Sequence, residues 1–299
     1  MRNNRGVDQA EGLRRLLVRN QTQIVTVVSG KAGVGCSSVV INLAAALARS
    51  GKDVLVLDEN HAPNNLLNNL ALPARYDLLD VAQQRCMMGD ALLSAKEFAV
   101  LPTARAMYAL ATLRADELKR LQDALTEASG SVDLMLVDAV TLTGKANASV
   151  MSSGMANGAA LLVVVDATAS GITESYALIK RLATDNARSQ FEIVVNRATD
   201  EQAAMTVFEN MSKVARRNLA ARLEYLGYIP HDNKLKRATL LGKPVLEAFP
   251  ASAAAKSYLE LSQKLLCLPM RQDAEESGIS AIIQSLMRQV AQPLATTGW

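Results

Sequence analysis

The chain has 299 residues, 49% hydrophobic and 20% charged, a composition that suits one large soluble α/β domain with extensions and excludes disorder throughout. Its formal net charge of +3 is spread along the sequence and announces neither nucleic acid nor an anionic membrane. Cys36, Cys86 and Cys267 lie far apart without metal-ligand spacing, and no apolar run approaches the roughly 20 residues that cross a bilayer, so a cytoplasmic, reduced protein is expected.

From the N-terminus, residues 1–20 are polar, with Leu13, Leu16 and Leu17 on what would be one face of an amphipathic helix. Gln23 to Ser29 is a short, β-branched apolar run that predicts a first strand, and Val39 to Ala48 suits a helix. Between them, Gly30 to Ser38 reads G-K-A-G-V-G-C-S-S. Strand, glycine loop and helix form the setting of a phosphate-binding P-loop, where backbone N–H groups wrap the phosphates, a lysine reaches the terminal ones and a hydroxyl holds Mg²⁺. Gly30, Gly35 and Ser37 keep that frame, but Cys36 stands at the lysine position. A thiol brings neither the charge nor the donors, so phosphate affinity should fall, and Lys31 partly offsets the loss.

Further strands are predicted near 53–58, 97–101, 133–138, 159–166, 190–196 and 223–229, separated by helices such as 114–128, 171–184 and 201–220. That alternation predicts a doubly wound, mostly parallel α/β sheet with helices on both faces and ligands beyond the carboxyl ends of the strands. Asp58, Asp138 and Asn196 with Arg197 fall at those ends. Boundaries near residue 20 and Pro269 divide the chain into segments 1–20, 21–268 and 269–299. In the last segment Ile279, Ile282, Ile283, Leu286 and Val290 recur at helical spacing before Pro293. Asp273, Glu275 and Glu276 precede that stripe and only Arg288 lies within it, so the basic face of a membrane-binding helix is missing. His61 and His231 have no partners at ligand spacing and read as loop residues.

The early lysine of K-A-G-V-G, residues 31–35, marks the deviant P-loops of the MinD/ParA class of ATPases. Within that class the chain resembles the FlhG (FleN/YlxH) family. The likeness rests on D-Q-A-E-G-L-R at 8–14, L-L-D-V at 78–81, G-D-A-L at 89–92 and L-E-Y-L-G-Y-I-P-H-D at 223–232, and so spans nearly the whole chain. It implies a P-loop NTPase fold with helical N- and C-terminal extensions, ATP and Mg²⁺ as cofactors, and control of flagellar number and placement. By the same resemblance Gly30, Lys31, Ala32, Gly33, Val34, Gly35, Cys36, Ser37 and Ser38 would cradle the phosphates, with Lys31 reaching the nucleotide of a second copy in a homodimer. Asn196, Arg197 and Pro230 would form the base pocket, and Ser37, Asp58 and Asp138 the metal side. Asp8, Gln9, Leu13 and Arg14 would engage and stimulate an FlhF-like GTPase. The C-terminal helix would touch the inner membrane or cell pole peripherally, or pack on its own domain or a partner.

Three departures from the family pattern converge on hydrolysis. The second strand should end in D-x-D, but Asp58 is followed by Glu59 and Asn60, and an amide cannot act as the carboxylate that handles the attacking water. Glu59 should point to the opposite face. After Asp138 the expected glycine is Leu142, and the nearest glycine is Gly144. With Cys36, these predict weak or absent ATP hydrolysis. The alternatives are an active ATPase with ATP-dependent dimerisation and membrane binding, in which Lys31 or another cation replaces the missing lysine, and a ParA-like DNA-binding or transcription-regulating module. No basic aromatic stripe supports the latter, and nucleic acid is not expected as a partner.

Overall fold

The computed structural model describes residues 22–63, 65–140, 160–185 and 188–268. Asp8, Gln9, Leu13 and Arg14, the helical stripe from Ile279 to Val290, and Leu142 and Gly144 lie outside the described residues.

Eight described strands form one sheet: β1 (Gln23–Val28), β2 (Val54–Asp58), β3 (Leu93–Ser94), β4 (Ala99–Pro102), β5 (Leu134–Asp138), β6 (Ala160–Asp166), β7 (Gln190–Ala198) and β8 (Arg222–Pro230). Their order is β3-β4-β2-β5-β1-β6-β7-β8, parallel except for the β3–β4 pair. Strands as apolar as those at 54–57 and 161–165 must be covered on both faces, because successive side chains point to opposite sides. On one side Val25, Val27, Val56 and Leu136 pack with Leu43, Leu47 and Tyr258, from α1 (Cys36–Arg49) and α11 (Ala253–Leu266). On the other side Leu55, Leu57 and Val137 meet Leu121 and Leu125 of α6 (Ala115–Gly130), while Val163, Val165 and Val195 meet Ile179 of α7 (Ala169–Asp185) and Met211 of α8 (Glu201–Asn218).

Shorter helices fill the connections: α2 (Leu66–Asn69), α3 (Leu78–Ala82), α4 (Met88–Ala91), α5 (Ala104–Ala109), α9 (Asn233–Leu240) and α10 (Val245–Ala248). The doubly wound sheet is the expected one. Two details differ from the sequence reading. The pair β3 and β4 replaces a single strand at 97–101, because a two-residue edge strand carries no detectable pattern. The first helix begins at Cys36 rather than Val39, because Gly35 turns the chain into it at φ 95°.

β1 lies between β5 and β6, and the chain leaves it toward β2 on one side and reaches β6 to β8 on the other. A crevice therefore opens beyond the carboxyl ends of these strands. Register places Asp58 beside Asp138 and Asp166 beside Asn196 at that edge.

Candidate functional site

The loop from β1 to α1 is built from positions that only glycine fills cheaply. Gly33 and Gly35 have φ of 78° and 95°, and a Cβ on Gly30 would lie 2.2 Å from the Glu174 carbonyl oxygen of α7. α1 starts with no capping side chain and no acid in its first turn. Its N-terminal N–H groups and positive dipole end face the crevice, the arrangement that receives an anion. A cavity of about 930 Å³ opens there, lined by Ala32 to Ser38, Asn60, Asp138, Asn196, Arg197 and Pro230 among others. That is large enough for a nucleotide-sized ligand. Gly30 and Lys31 stand outside this lining; the Lys31 ammonium donates to the Ser170 hydroxyl of α7 at 2.7 Å.

Cys36 lines the cavity, but its thiol bonds back into the fold. Sγ donates to the Val27 carbonyl at 3.5 Å, back toward β1. Burial, then the neighbouring Asp138 charge, raises the thiol well above its ordinary range, so it stays neutral.

The two aspartates share an edge but not an environment. Asp58 is held by backbone: Oδ2 accepts from the Leu66 and Leu67 N–H groups at 2.9 and 3.4 Å, and Oδ1 from the Asn60 N–H at 3.1 Å. Burial nevertheless pushes its carboxyl up to about 6, against those hydrogen bonds. It anchors the start of α2 and is not in the cavity wall. Asp138 is in that wall, and among the described residues no hydrogen bond of ordinary geometry reaches either carboxylate oxygen. Burial first, then the Asp58 charge, push it up to about 8; the nearby Ser37 hydroxyl and Cys36 thiol oppose the rise. Burial thus favours the neutral acid at Asp138, which sits beside Ser37 in the cavity wall. No group of three acid, His or Cys side chains able to hold a metal alone occurs among the described residues. A divalent ion here would need ligand phosphates beside Ser37 and Asp138, the usual habit of Mg²⁺.

Asn60 lines the cavity, with Nδ2 donating to the Asp138 carbonyl at 3.0 Å and to Asp58 Oδ1 at 3.4 Å. Glu59 follows β2, is buried and absent from the cavity wall, and its charge adds to the load on Asp138.

Asn196 and Arg197 meet the P-loop from β7. Asn196 Nδ2 donates to the Val34 carbonyl at 2.7 Å, and the Arg197 guanidinium to the Gly33 carbonyl at 2.8 Å. Arg197 also lies 3.7 Å from Asp166, a residue that the sequence pattern did not single out. Pro230 closes β8 beside Ala198 of β7 and lines the cavity with His231 and Lys236. His61, edge-on to Tyr108, lines another part of the cavity. Both histidines read from sequence as loop residues, and loops they occupy; the fold turns those loops onto the cavity.

Comparisons with known proteins agree with this geometry. The model of the CobQ/CobB/MinD/ParA nucleotide binding domain matches residues 25–245. The antiactivator FleN of Pseudomonas aeruginosa is 34% identical over 83% of this chain and 88% of its own length. The flagellum site-determining protein YlxH of Helicobacter pylori is 24% identical over 73% of each chain. In fold, the chain is similar to the septum site-determining protein MinD from Pyrococcus horikoshii, solved in complex with Mg-ADP. The TM-score is 0.60 at 22% identity, covering 82% of this chain and 96% of that one.

Proposed function

We propose a function for a chain that belongs to the CobQ/CobB/MinD/ParA nucleotide-binding family and, within it, to the FleN/YlxH flagellar regulators: it binds ATP with Mg²⁺ and hydrolyses it slowly or not at all. The observation that carries this reading is the split within one site. The glycine cradle and the open N-terminus of α1 are intact, whereas the positions that should act on the terminal phosphate carry a thiol and an amide instead of a lysine and a carboxylate. The Cys36 thiol bonds back to the Val27 carbonyl of β1 and the Asn60 amide N–H groups bond the strand ends. Preorganised N–H groups bind an anion without those parts, but hydrolysis needs them.

Ser37 and Asp138 would hold Mg²⁺ together with phosphate oxygens, and the ion would supply charge neutralisation there. The orphaned, buried oxygens of Asp138 fit such a cation, whose arrival would displace the Asp138 proton. Lys31 would leave Ser170 to reach the nucleotide of a second copy, so that ATP drives a homodimer. Output would then pass through protein contacts, as an antiactivator and through Asp8 to Arg14 on an FlhF-like GTPase, in the cytoplasm or at the inner membrane and cell pole.

Calorimetric titration with ATP and Mg²⁺, with light scattering on the same samples, tests this. Saturable binding with dimerisation is expected. No binding at millimolar ATP overturns it in favour of a nucleotide-independent scaffold, and turnover as fast as that of an intact MinD-type ATPase overturns the slow-hydrolysis part. Salt-sensitive DNA binding would instead favour a ParA-like module.

A further inference from the structure

We propose that the tip of α9, Leu240 and Leu241 with the cations of the turns before them, docks this protein on an anionic lipid surface. The site does not depend on the nucleotide-binding function above. It also differs in chemistry from the stripe at Ile279 to Val290, which is apolar but poor in cations.

Leu240 and Leu241 are 87% and 60% exposed, the one adjacent pair among the exposed large apolar side chains of the described residues. Backbone geometry fixes that exposure. After α9 the chain turns at Gly242, φ 66°, whose N–H donates to the Thr239 carbonyl at 3.0 Å, and the Lys243 N–H donates to the Ala238 carbonyl at 3.1 Å. In many such glycine-ended helices an apolar residue just past the glycine folds back on the last turn. Here that residue is Lys243, bridged to Glu247 at 3.1 Å, and the leucines stay in water. The tip is backed by the fold: Asp232 accepts the Lys234 and Ala254 N–H groups at 2.8 and 3.1 Å, tying the start of α9 to that of α11. A Cβ on Gly242 would stand 3.4 Å from Ala71, just past α2.

Helical spacing sets Lys236 one turn before Leu240 and Arg237 one turn before Leu241, with Lys234 a turn further back. All three are exposed, and α9 contains no acid. Among the described residues Lys234 and Lys236 have no ion pair, while Arg237 lies over the Phe249 ring at 5.2 Å. The acids nearest in the chain are already used, Asp232 in the two helix starts and Glu247 between Lys96 and Lys243. Free ammonium groups beside paired leucines suit a membrane surface, the charges among anionic headgroups and the leucines at the acyl boundary. Other ligands use half of this chemistry. A nucleic-acid backbone would take the cations and leave the leucines in water. A partner helix docks in an apolar groove, whereas Leu241 ends a helix and stands outside the cavity wall.

The test uses the full chain without nucleotide, so its result stands whether or not ATP binds. Sedimentation measures binding to vesicles of phosphatidylcholine alone and of phosphatidylcholine mixed with phosphatidylglycerol. Leu241 and Lys234 are the positions to change, because neither lines the cavity. Wild type should bind the anionic vesicles and not the neutral ones. Leu241→Ser should weaken that binding about fivefold, as expected for one leucine part-inserted, and Lys234→Glu about tenfold by reversing a headgroup contact. Leu241→Trp, which suits the membrane interface, should bind at least as tightly as wild type. The melting temperature of each variant should match wild type. No binding of wild type to anionic vesicles overturns the proposal. So does binding that Ile282→Glu abolishes while Leu241→Ser and Lys234→Glu leave it intact, which would assign the membrane contact to the C-terminal stripe. A Leu241→Ser variant that changes the oligomeric state in light scattering and leaves vesicle binding unchanged also overturns it, in favour of a protein contact.

Discussion

Asp138→Asn removes an acid whose charge the fold cannot satisfy. Asp138 is fully buried beside Asp58, and desolvation, followed by the Asp58 charge, pushes its carboxyl up to about 8. An unfolded chain releases the same proton near 3.8, so between about pH 4 and pH 8 the native protein holds a proton that the unfolded chain has lost. Stability therefore falls as the pH rises through that window, and the contribution is gone above about pH 8. Holding the proton at pH 7 against the unfolded value costs roughly 4 kcal/mol, an upper bound because Asp58 shares the electrostatic load. Asparagine has nearly the same shape and stays neutral at every pH. The variant should exceed wild type by on the order of 2–4 kcal/mol at pH 7 to 8, about 5–10 °C in Tm for a domain of this size, with a smaller gap at pH 5. The assay is thermal and urea denaturation at pH 5, 6, 7 and 8, with chelator and no nucleotide, so that no cation takes the place of the proton. Wild-type stability that is flat across this range, or a variant less stable than wild type at pH 8, would refute the buried-proton account.

Cys36→Lys should raise ATP affinity about 10- to 100-fold, the worth of one charge-assisted hydrogen bond to phosphate; a folded variant with no gain by calorimetry would show that phosphate does not approach position 36. Gly30→Ala places a methyl 2.2 Å from the Glu174 carbonyl and should destabilise the fold by about 1–3 kcal/mol in urea titration while weakening ATP binding. Lys31→Ala should abolish ATP-dependent dimerisation in light scattering, and a dimer that survives would remove Lys31 from the interface. Gln9→Ala should remove stimulation of an FlhF-like GTPase with no change in Tm, and stimulation at the wild-type level would exclude the 8–14 segment from that contact.

The strands legible in the sequence were those buried on both faces. Runs such as Leu134 to Val137 and Leu161 to Val165 are continuous in apolar residues because helices cover both sides, and that signal is local. The two-residue β3 carries no such signal and emerges only through its pairing with β4. At the site, the P-loop frame was readable for a similar reason, since Gly30, Gly33 and Gly35 answer steric demands made within a few residues of themselves or by one neighbouring helix.

Residue types at positions 36, 60, 138, 196 and 197 were equally visible, but their chemistry was not. Whether Cys36 faces a phosphate or β1 depends on how α1 leaves the loop. The Asp138 proton depends on the register that sets Asp58 beside it, and on desolvation by elements distant in the chain. The grip of Asn196 and Arg197 on Val34 and Gly33 joins residues more than 160 positions apart through a bulge that no local pattern announces. Chain-local chemistry thus names the fold, the family and the phosphate loop; proton affinity and side-chain direction arise from burial and long-range pairing, which exist only once the sheet has assembled.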